Sequence, residues 1–112
     1  MRPERWKVFQ VLPVGGQNDG SVEPLLLPAG DFAGFVARHA HLAADGTSSS
    51  SEDNDAMTGT YAMVGPNGCF YDNVTGRHRY SCPIPAAGLD AAWADVGFDL
   101  EGFNARGGRY AR

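Results

Sequence analysis

The sequence predicts an α/β fold, and three patterns along the 112-residue chain support that prediction. Apolar residues occupy both faces of the run 5–13, as in a strand that is covered on both sides. Residues 31–41 carry apolar side chains at helical spacing, and residues 60–71 have the pattern of a β-hairpin. The chain has room for one domain at most, and its formal net charge of −4 disfavours general nucleic-acid binding.

The first predicted strand contains an unusual cation. Pro13 and the glycines that follow end this strand. Lys7, within it, is the only lysine of the chain, whereas there are eight arginines. A compact ammonium suits point contact with a phosphate oxygen, while arginine suits planar bidentate contact. Together with the basic tail 106–109, Lys7 suggests a polyphosphate held between a strand and a tail.

The predicted helix over 31–41 has one apolar face. That face is formed at positions i, i+3, i+4 and i+7 by Phe32, Phe35, Val36 and His39. Gly30 or Asp31 is the expected N-cap. His39 and His41 do not converge on a helix at i, i+2, so we expect a packed His39 and an exposed His41 rather than a metal pair.

Residues 44–58 are rich in serine and acidic side chains. Such a segment cannot bury enough apolar surface to offset the entropy of ordering, so the sequence predicts a mobile surface loop. Carboxylates lie close together in sequence there, but a mobile loop would not hold them in the geometry that acid–base catalysis requires.

Turn and capping signals organise the second half of the chain. The hairpin is expected to turn at Gly65-Pro66-Asn67-Gly68. A helix over 89–96 is expected to bury Trp93. A short helix follows, with Asp99 as its N-cap and Phe98 and Phe103 as a hydrophobic staple. Gly107 is its expected C′ residue.

Two further observations limit the interpretation. Cys69 and Cys82 are too few for a disulfide scaffold, so they are predicted to be free buried thiols. By themselves they cannot form a zinc or iron–sulfur site. A first strand with two apolar faces needs neighbours on both edges, and only a hairpin is predicted elsewhere. The chain therefore has the character of part of a larger sheet.

Several motifs occur together in a fixed order. They are Arg5-Trp6-Lys7-Val8-Phe9-Gln10 followed by Gly16-Gln17-Asn18, then Phe32 with Phe35-Val36 and Arg38-His39, then Tyr61, and finally Gly97-Phe98-Asp99, Phe103 and Arg106-Gly107-Gly108-Arg109-Tyr110. In this order and spacing the motifs resemble the late-barrel strand, the following helix and the C-terminal segment of viperin-like radical S-adenosylmethionine enzymes. The resemblance covers nearly the whole chain outside the serine-rich segment.

The resemblance implies a fold and a parent reaction. The fold is a partial (β/α) barrel, of which 1–112 would be the C-terminal portion and 88–112 an extension that closes over substrate. The parent enzymes use a [4Fe–4S] cluster and S-adenosylmethionine to form a 5′-deoxyadenosyl radical. That radical takes hydrogen from the ribose of CTP, and the product is a 3′-deoxy-3′,4′-didehydro nucleotide that acts in antiviral defence. Some prokaryotic relatives accept other nucleoside triphosphates.

The resemblance also implies substrate-binding residues. Lys7 and Arg106 match triphosphate contacts, and Tyr61 matches a tyrosine beside the ribose. Gly107 and Gly108 match glycines that let the tail approach phosphate. Arg109 stands where many relatives carry lysine.

The family's C-x3-C-x2-C cluster loop has no counterpart in this sequence. The chain alone is therefore expected to bind neither cofactor, to contain no catalytic or metal-ligating residue, and to be inactive without the remainder of the barrel.

Two other readings remain open from the sequence. In the first, the chain is a stand-alone non-catalytic module that binds a nucleotide or a protein. In the second, it is a small interaction domain whose likeness to the family is vestigial. No membrane segment or secretion signal is seen, so the expected location is cytoplasmic. Animal relatives reach the endoplasmic reticulum and lipid droplets through an N-terminal segment that has no match here.

Overall fold

A computed structural model describes residues 3–108 as a mixed α/β structure with two small sheets. The strands are β1 (Arg5–Phe9), β2 (Ser48–Glu52), β3 (Met63–Val64), β4 (Cys69–Asp72) and β5 (Arg79–Pro83). The helices are α1 (Ala29–Arg38), α2 (Asn54–Met57), α3 (Ile84–Ala87), α4 (Leu89–Ala94) and α5 (Leu100–Ala105), with short 3-10 helices at Glu23–Leu25 and Ala40–Ala43. Strands β1 and β2 pair in parallel, and β3, β4 and β5 form an antiparallel sheet. The predicted α/β class is confirmed.

Helix α1 covers one face of β1. The Trp6 ring lies 6.1 Å from the Phe35 ring and 5.5 Å from the His39 ring, measured between centroids. His39 is packed as predicted, and its Nδ1–H donates to the Phe35 carbonyl at 2.8 Å. The opposite face of β1 carries Lys7 and Phe9, and Phe9 is 50% exposed. The expectation that both faces are covered is therefore wrong for the part of the chain that the structure describes.

Segment 44–58 forms regular structure where the sequence predicted a loop. It contains β2 and α2, and β2 runs beside β1 with Phe9 opposite Glu52. The backbone N–H of Gln10 donates to the Glu52 carbonyl at 3.0 Å, which extends the ladder beyond the last paired residues. Serine side chains offer little to bury, so pairing with β1 rather than local propensity makes this strand. The loop prediction is wrong in its secondary structure.

The predicted hairpin is confirmed, and a third strand joins it. Met63 pairs with Tyr71 across the turn, and β5 adds to the other edge of β4. The buried Asn73 ties this sheet to the preceding segment. Its side-chain oxygen accepts from the Gly59 N–H at 2.9 Å, and its amide donates to the Met57 carbonyl at 3.3 Å.

Two helix expectations need correction. Helix α1 begins at Ala29 with Pro28 as N-cap, not Gly30 or Asp31. The N–H groups of Asp31 and Phe32 both donate to the Pro28 carbonyl at 3.0 Å, so the first turn already precedes Asp31. Trp93 of α4 is 44% exposed rather than buried. Its ring packs by contact with Phe70, at 5.4 Å between centroids, and with Phe98, at 5.8 Å. Trp93 therefore contacts two aromatic rings at the surface and is not buried as predicted.

Helix α5 begins and ends as the sequence predicts. The Asp99 side chain caps it by accepting from the Gly102 N–H at 2.9 Å. The Phe98 and Phe103 rings lie 5.5 Å apart, which confirms the staple. At the other end, Gly108 N–H donates to the Phe103 carbonyl at 2.8 Å and Gly107 N–H to the Asn104 carbonyl at 3.1 Å. These two bonds are the Schellman pattern.

Removal of the α5 N-cap should measurably destabilise the chain. Asp99→Ala is expected to lower the free energy of unfolding by about 1 kcal/mol, because one N-terminal backbone donor loses its partner. Asp90→Ala is the matched control, since Asp90 is an exposed first-turn residue of α4, a helix without a side-chain cap. Urea denaturation compares the two variants. Equal losses would show that Asp99 acts through helix charge rather than through the cap.

The described part of the chain has a thin apolar core. Within residues 3–108 the buried apolar side chains are Val22, Phe32, Met57, Cys69 and Ala92. The radius of gyration is 16.6 Å, whereas a compact domain of this length has about 13 Å. Large apolar side chains such as Phe9, Leu25 and Leu89 are at least half exposed. Much of the large apolar surface is therefore left uncovered within the described residues.

Candidate functional site

Three residues predicted from the sequence meet at one carboxylate. Glu52, at the end of β2, is 3% exposed in its side chain. Its Oε1 accepts from Lys7 Nζ at 3.0 Å and pairs with Arg106 Nη1 at 3.2 Å. Its Oε2 accepts from the Tyr61 hydroxyl at 2.5 Å. We call Lys7, Glu52, Tyr61 and Arg106 the Glu52 cluster.

Four separate elements supply the Glu52 cluster. Lys7 and Glu52 come from adjacent parallel strands, and their side chains project on the face of the sheet away from α1. Tyr61 lies between α2 and β3, and Arg106 is the C-cap residue of α5. The cluster thereby joins the parallel pair to the end of the last described helix.

The Arg106 guanidinium is held on several sides. Its carbon lies 4.3 Å from the Tyr61 ring centroid and 5.1 Å from that of Phe103. Nη2 donates to the Thr60 carbonyl at 3.3 Å. The side chain is 10% exposed, and Nε is buried without a hydrogen-bond acceptor. A planar guanidinium can stack on both rings while its two Nη groups reach Glu52 and Thr60, whereas an ammonium lacks this planar fork of donors.

The cluster changes the acidity of its own groups. Burial alone would raise the pKa of Glu52, but hydrogen bonds from Tyr61 and Lys7 and the charge of Arg106 outweigh burial and lower it. Burial, together with the hydrogen bond to Glu52, raises the pKa of the Tyr61 hydroxyl. At neutral pH the cluster therefore holds two cations, one carboxylate and a neutral phenol. It keeps a surplus of one positive charge.

The glycines of the tail follow Arg106 directly. Gly107 has a φ of 107° and Gly108 a φ of 55°, both in the region that favours glycine. Gly107 is exposed, and space around its Cα is open. Arg109 and Tyr110 lie outside the described residues, so the predicted contribution of Arg109 stays a prediction.

Gly107 should resist substitution for a backbone reason. Gly107→Ala is expected to cost about 1–2 kcal/mol in unfolding free energy, because an L-residue strains at this φ although no atom blocks the new methyl group. Gly30→Ala provides the control: Gly30 lies in α1 with open space and no positive φ, and alanine there should be neutral or slightly stabilising. Thermal unfolding that shows equal effects at both positions would contradict this account.

An apolar cleft of about 400 Å³ adjoins the cluster. Its lining consists of Phe9, Leu12, Val14, Met57, Tyr61, Met63, Asn73 and His78. Tyr61 belongs to both the cleft and the cluster, and the Lys7 ammonium lies 4.9 Å from the centroid of the Phe9 ring. The arrangement places cations beside an aromatic-lined surface, which suits a ligand with an anionic end and a flat apolar end.

The described residues do not fit an iron–sulfur cluster. Within residues 3–108 no three His, Cys, Asp or Glu side chains lie close enough to hold a metal ion. Cys69 is buried in β4. The pKa of the Cys82 thiol is raised, mainly because the thiol donates a hydrogen bond to Asp95. No chemical step is assigned to a cluster in this part of the chain.

Glu52 is the central residue that the sequence did not reveal. The expectation that no carboxylate of segment 44–58 is held in a defined geometry is wrong for Glu52, because β2 fixes it beside Lys7. The serine run has no alternation of apolar and polar residues that would mark a strand or its faces. The sequence does contain one signal for an acidic residue near Lys7. Lys7 lies in a strand with apolar residues on both faces, and a lysine in that setting needs an acidic partner.

Comparison with known proteins identifies relatives over nearly the whole chain. An S-adenosylmethionine-dependent nucleotide dehydratase of Lacinutrix mariniflava is 40% identical over 97% of this chain and 22% of that protein. The enzyme of the same name in Flammeovirga pacifica is 41% identical over 97% of this chain and 36% of its own length. Its counterpart in Oncorhynchus mykiss is 32% identical over 98% of this chain and 32% of its own length. No protein-family model matches the chain.

These relatives confirm the resemblance recognised in the sequence. The chain spans only 22% to 36% of the length of the three curated relatives. Among the described residues, none of the helices is both long and apolar enough to cross a bilayer.

Proposed function

We propose that this chain, which is homologous to part of the S-adenosylmethionine-dependent nucleotide dehydratases, supplies the segment that closes on a nucleoside triphosphate. Lys7 and Arg106 neutralise phosphate charge. Tyr61 lines the ribose side. Gly107 and Gly108 let the tail backbone approach the phosphates. Arg109 extends the cationic surface beyond the described residues.

The meeting of Lys7, Tyr61 and Arg106 at one point carries this proposal. The sequence motifs point to these residues independently of their distances in space, and they lie up to 99 positions apart in sequence. The surplus positive charge of the cluster attracts an anion. Arg106 has an unpaired Nε, and charge-assisted hydrogen bonds to phosphate are stronger than neutral ones. The adjoining cleft suits a nucleoside.

The parallel pair supports a barrel origin for the chain. Strand, helix and parallel strand in succession form the repeating unit of a (β/α) barrel, and functional residues of such barrels lie near the C-terminal ends of the strands. Glu52 ends β2, and Lys7 lies on the neighbouring strand. We propose that residues 1–112 are the C-terminal portion of a partial barrel, and that 88–112 is the extension over the substrate.

In the parent enzyme the substrate would be CTP or a related nucleoside triphosphate. The [4Fe–4S] cluster and S-adenosylmethionine would be bound by the remainder of the barrel and would supply the radical that takes hydrogen from the ribose. The role of this chain is to bind the phosphates, orient the ribose and exclude water during that step. By this proposal the product serves antiviral defence.

A chimera tests the proposal. The matching segment of the Flammeovirga pacifica enzyme is replaced by this chain, and conversion of CTP to the didehydro product is measured with S-adenosylmethionine and reductant. Turnover by the chimera, abolished by Lys7→Met and retained by Arg38→Met, is the expected result. A folded chimera that carries its cluster and turns over with Lys7→Met as well as without it would contradict the proposal.

A further inference from the structure

Glu52 contacts the three side chains that the proposed site draws from the described residues, Lys7, Tyr61 and Arg106. One oxygen receives Lys7 and Arg106, and the other receives Tyr61. We infer that Glu52 is the positioning residue of this site, which sets the two cations side by side so that both face one polyphosphate. The inference rests on the proposed function and adds to it a residue that contacts no substrate itself.

The need for a positioning residue follows from the flexibility of the cations. Lysine and arginine side chains lose rotamer entropy when they are fixed, and a ligand that must fix them itself binds more weakly. Glu52 fixes them before the ligand arrives. Its own place is secured because β2 is paired to β1 and because the Gln10 N–H donates to its backbone carbonyl at 3.0 Å.

Charge gives the second reason. Lys7 and Arg106 share one oxygen of Glu52, so without the carboxylate two cations would repel each other at close range. With it, they stay together and keep a surplus of one positive charge. Lys7 is 27% exposed, whereas Glu52 is buried. An anion that approaches from the solvent therefore reaches Lys7 before it reaches Glu52.

The opposite role for Glu52 is that of a competitor. In that case its negative charge would oppose phosphate, and its neutralisation would tighten binding. Glu52→Asp separates the two roles, because it keeps the charge but draws the carboxylate back by one methylene group. A positioning role requires the full side-chain length, whereas a competitor requires only the charge.

The experiment is calorimetric titration of the 112-residue chain with CTP and with cytidine. Wild type, Glu52→Gln, Glu52→Asp and the control Glu101→Gln are compared, since Glu101 is an exposed glutamate of α5. We expect both Glu52 variants to bind CTP on the order of tenfold more weakly, with cytidine binding unchanged. Glu101→Gln should match wild type.

The outcomes separate the inference from the proposed function. Wild type that does not distinguish CTP from cytidine overturns both. Wild type that prefers CTP, with Glu52 variants that bind CTP as tightly or more tightly, overturns only the positioning role. Amide spectra of each variant report folding. If both Glu52 variants are unfolded at the titration temperature, Glu52 holds the fold together and the positioning inference is overturned.

Discussion

Arg106→Met is expected to destabilise the chain by about 2 kcal/mol and to weaken triphosphate binding by at least about tenfold. Removal of one member of a buried ion pair costs about 3–5 kcal/mol when the remaining charge is left alone. Lys7 remains beside Glu52 and reduces that cost. Methionine keeps much of the apolar packing between the Tyr61 and Phe103 rings, so the loss isolates the guanidinium.

Two further variants define what Arg106 contributes. Arg106→Lys keeps the charge but loses the planar stacking and the fork of donors, so an intermediate loss is expected. Arg38→Met, on the exposed side of α1, is the matched control and should change unfolding by less than about 0.5 kcal/mol. Urea denaturation and CTP titration measure both properties. In the parent enzyme, Arg106→Ala should raise the KM for nucleotide, and an unchanged KM would remove Arg106 from the site.

Glu52→Gln is expected to remove the part of the acid sensitivity of the fold that Glu52 contributes. The pKa of Glu52 is lowered from its ordinary value of 4.5 in the folded chain, so the unfolded chain takes up the proton first as pH falls. The stability that Glu52 contributes is therefore present above about pH 4.5 and is lost as the pH falls through the lowered pKa. At pH 7 the variant should be less stable than wild type by about 2 kcal/mol.

Other carboxylates also titrate in acid, so the prediction concerns the difference in unfolding free energy between wild type and Glu52→Gln. Unfolding free energies of wild type and Glu52→Gln, measured between pH 7 and pH 3, should converge as the pH falls. Glu101→Gln, which removes an exposed carboxylate of α5, is the control. A gap between wild type and Glu52→Gln that is the same at pH 7 and pH 3 would show that the contacts of Glu52 do not depend on its charge.

Local signals made part of the fold predictable. Helix α1, the hairpin turn and both ends of α5 follow from spacing, turn residues and capping residues that are neighbours in sequence. Helix α1 starts two residues before the predicted start at 31, with Pro28 as its N-cap, and no side-chain cap marks that start in the sequence. The exposure of Trp93 could not be read from helical periodicity, which marks an apolar face but not what lies against it.

Long-range pairing set the limit on the rest. Strand β2 exists because its backbone pairs with a strand about 43 positions earlier, and no side chain of Ser48–Ser51 signals that partner. Once β2 is in place, its register puts Glu52 against Lys7. The site residues Lys7, Tyr61 and Arg106 were found from motifs, whereas the carboxylate that joins them required the tertiary structure.

A ¹H–¹⁵N amide spectrum of this chain, recorded with and without CTP, tests whether the Glu52 cluster binds the phosphates of a nucleoside triphosphate. We expect a dispersed spectrum in which CTP shifts the signals of Lys7, Tyr61 and Arg106–Gly108, while signals of exposed α1 residues stay in place. A dispersed spectrum that CTP leaves unchanged at those positions would contradict the claim.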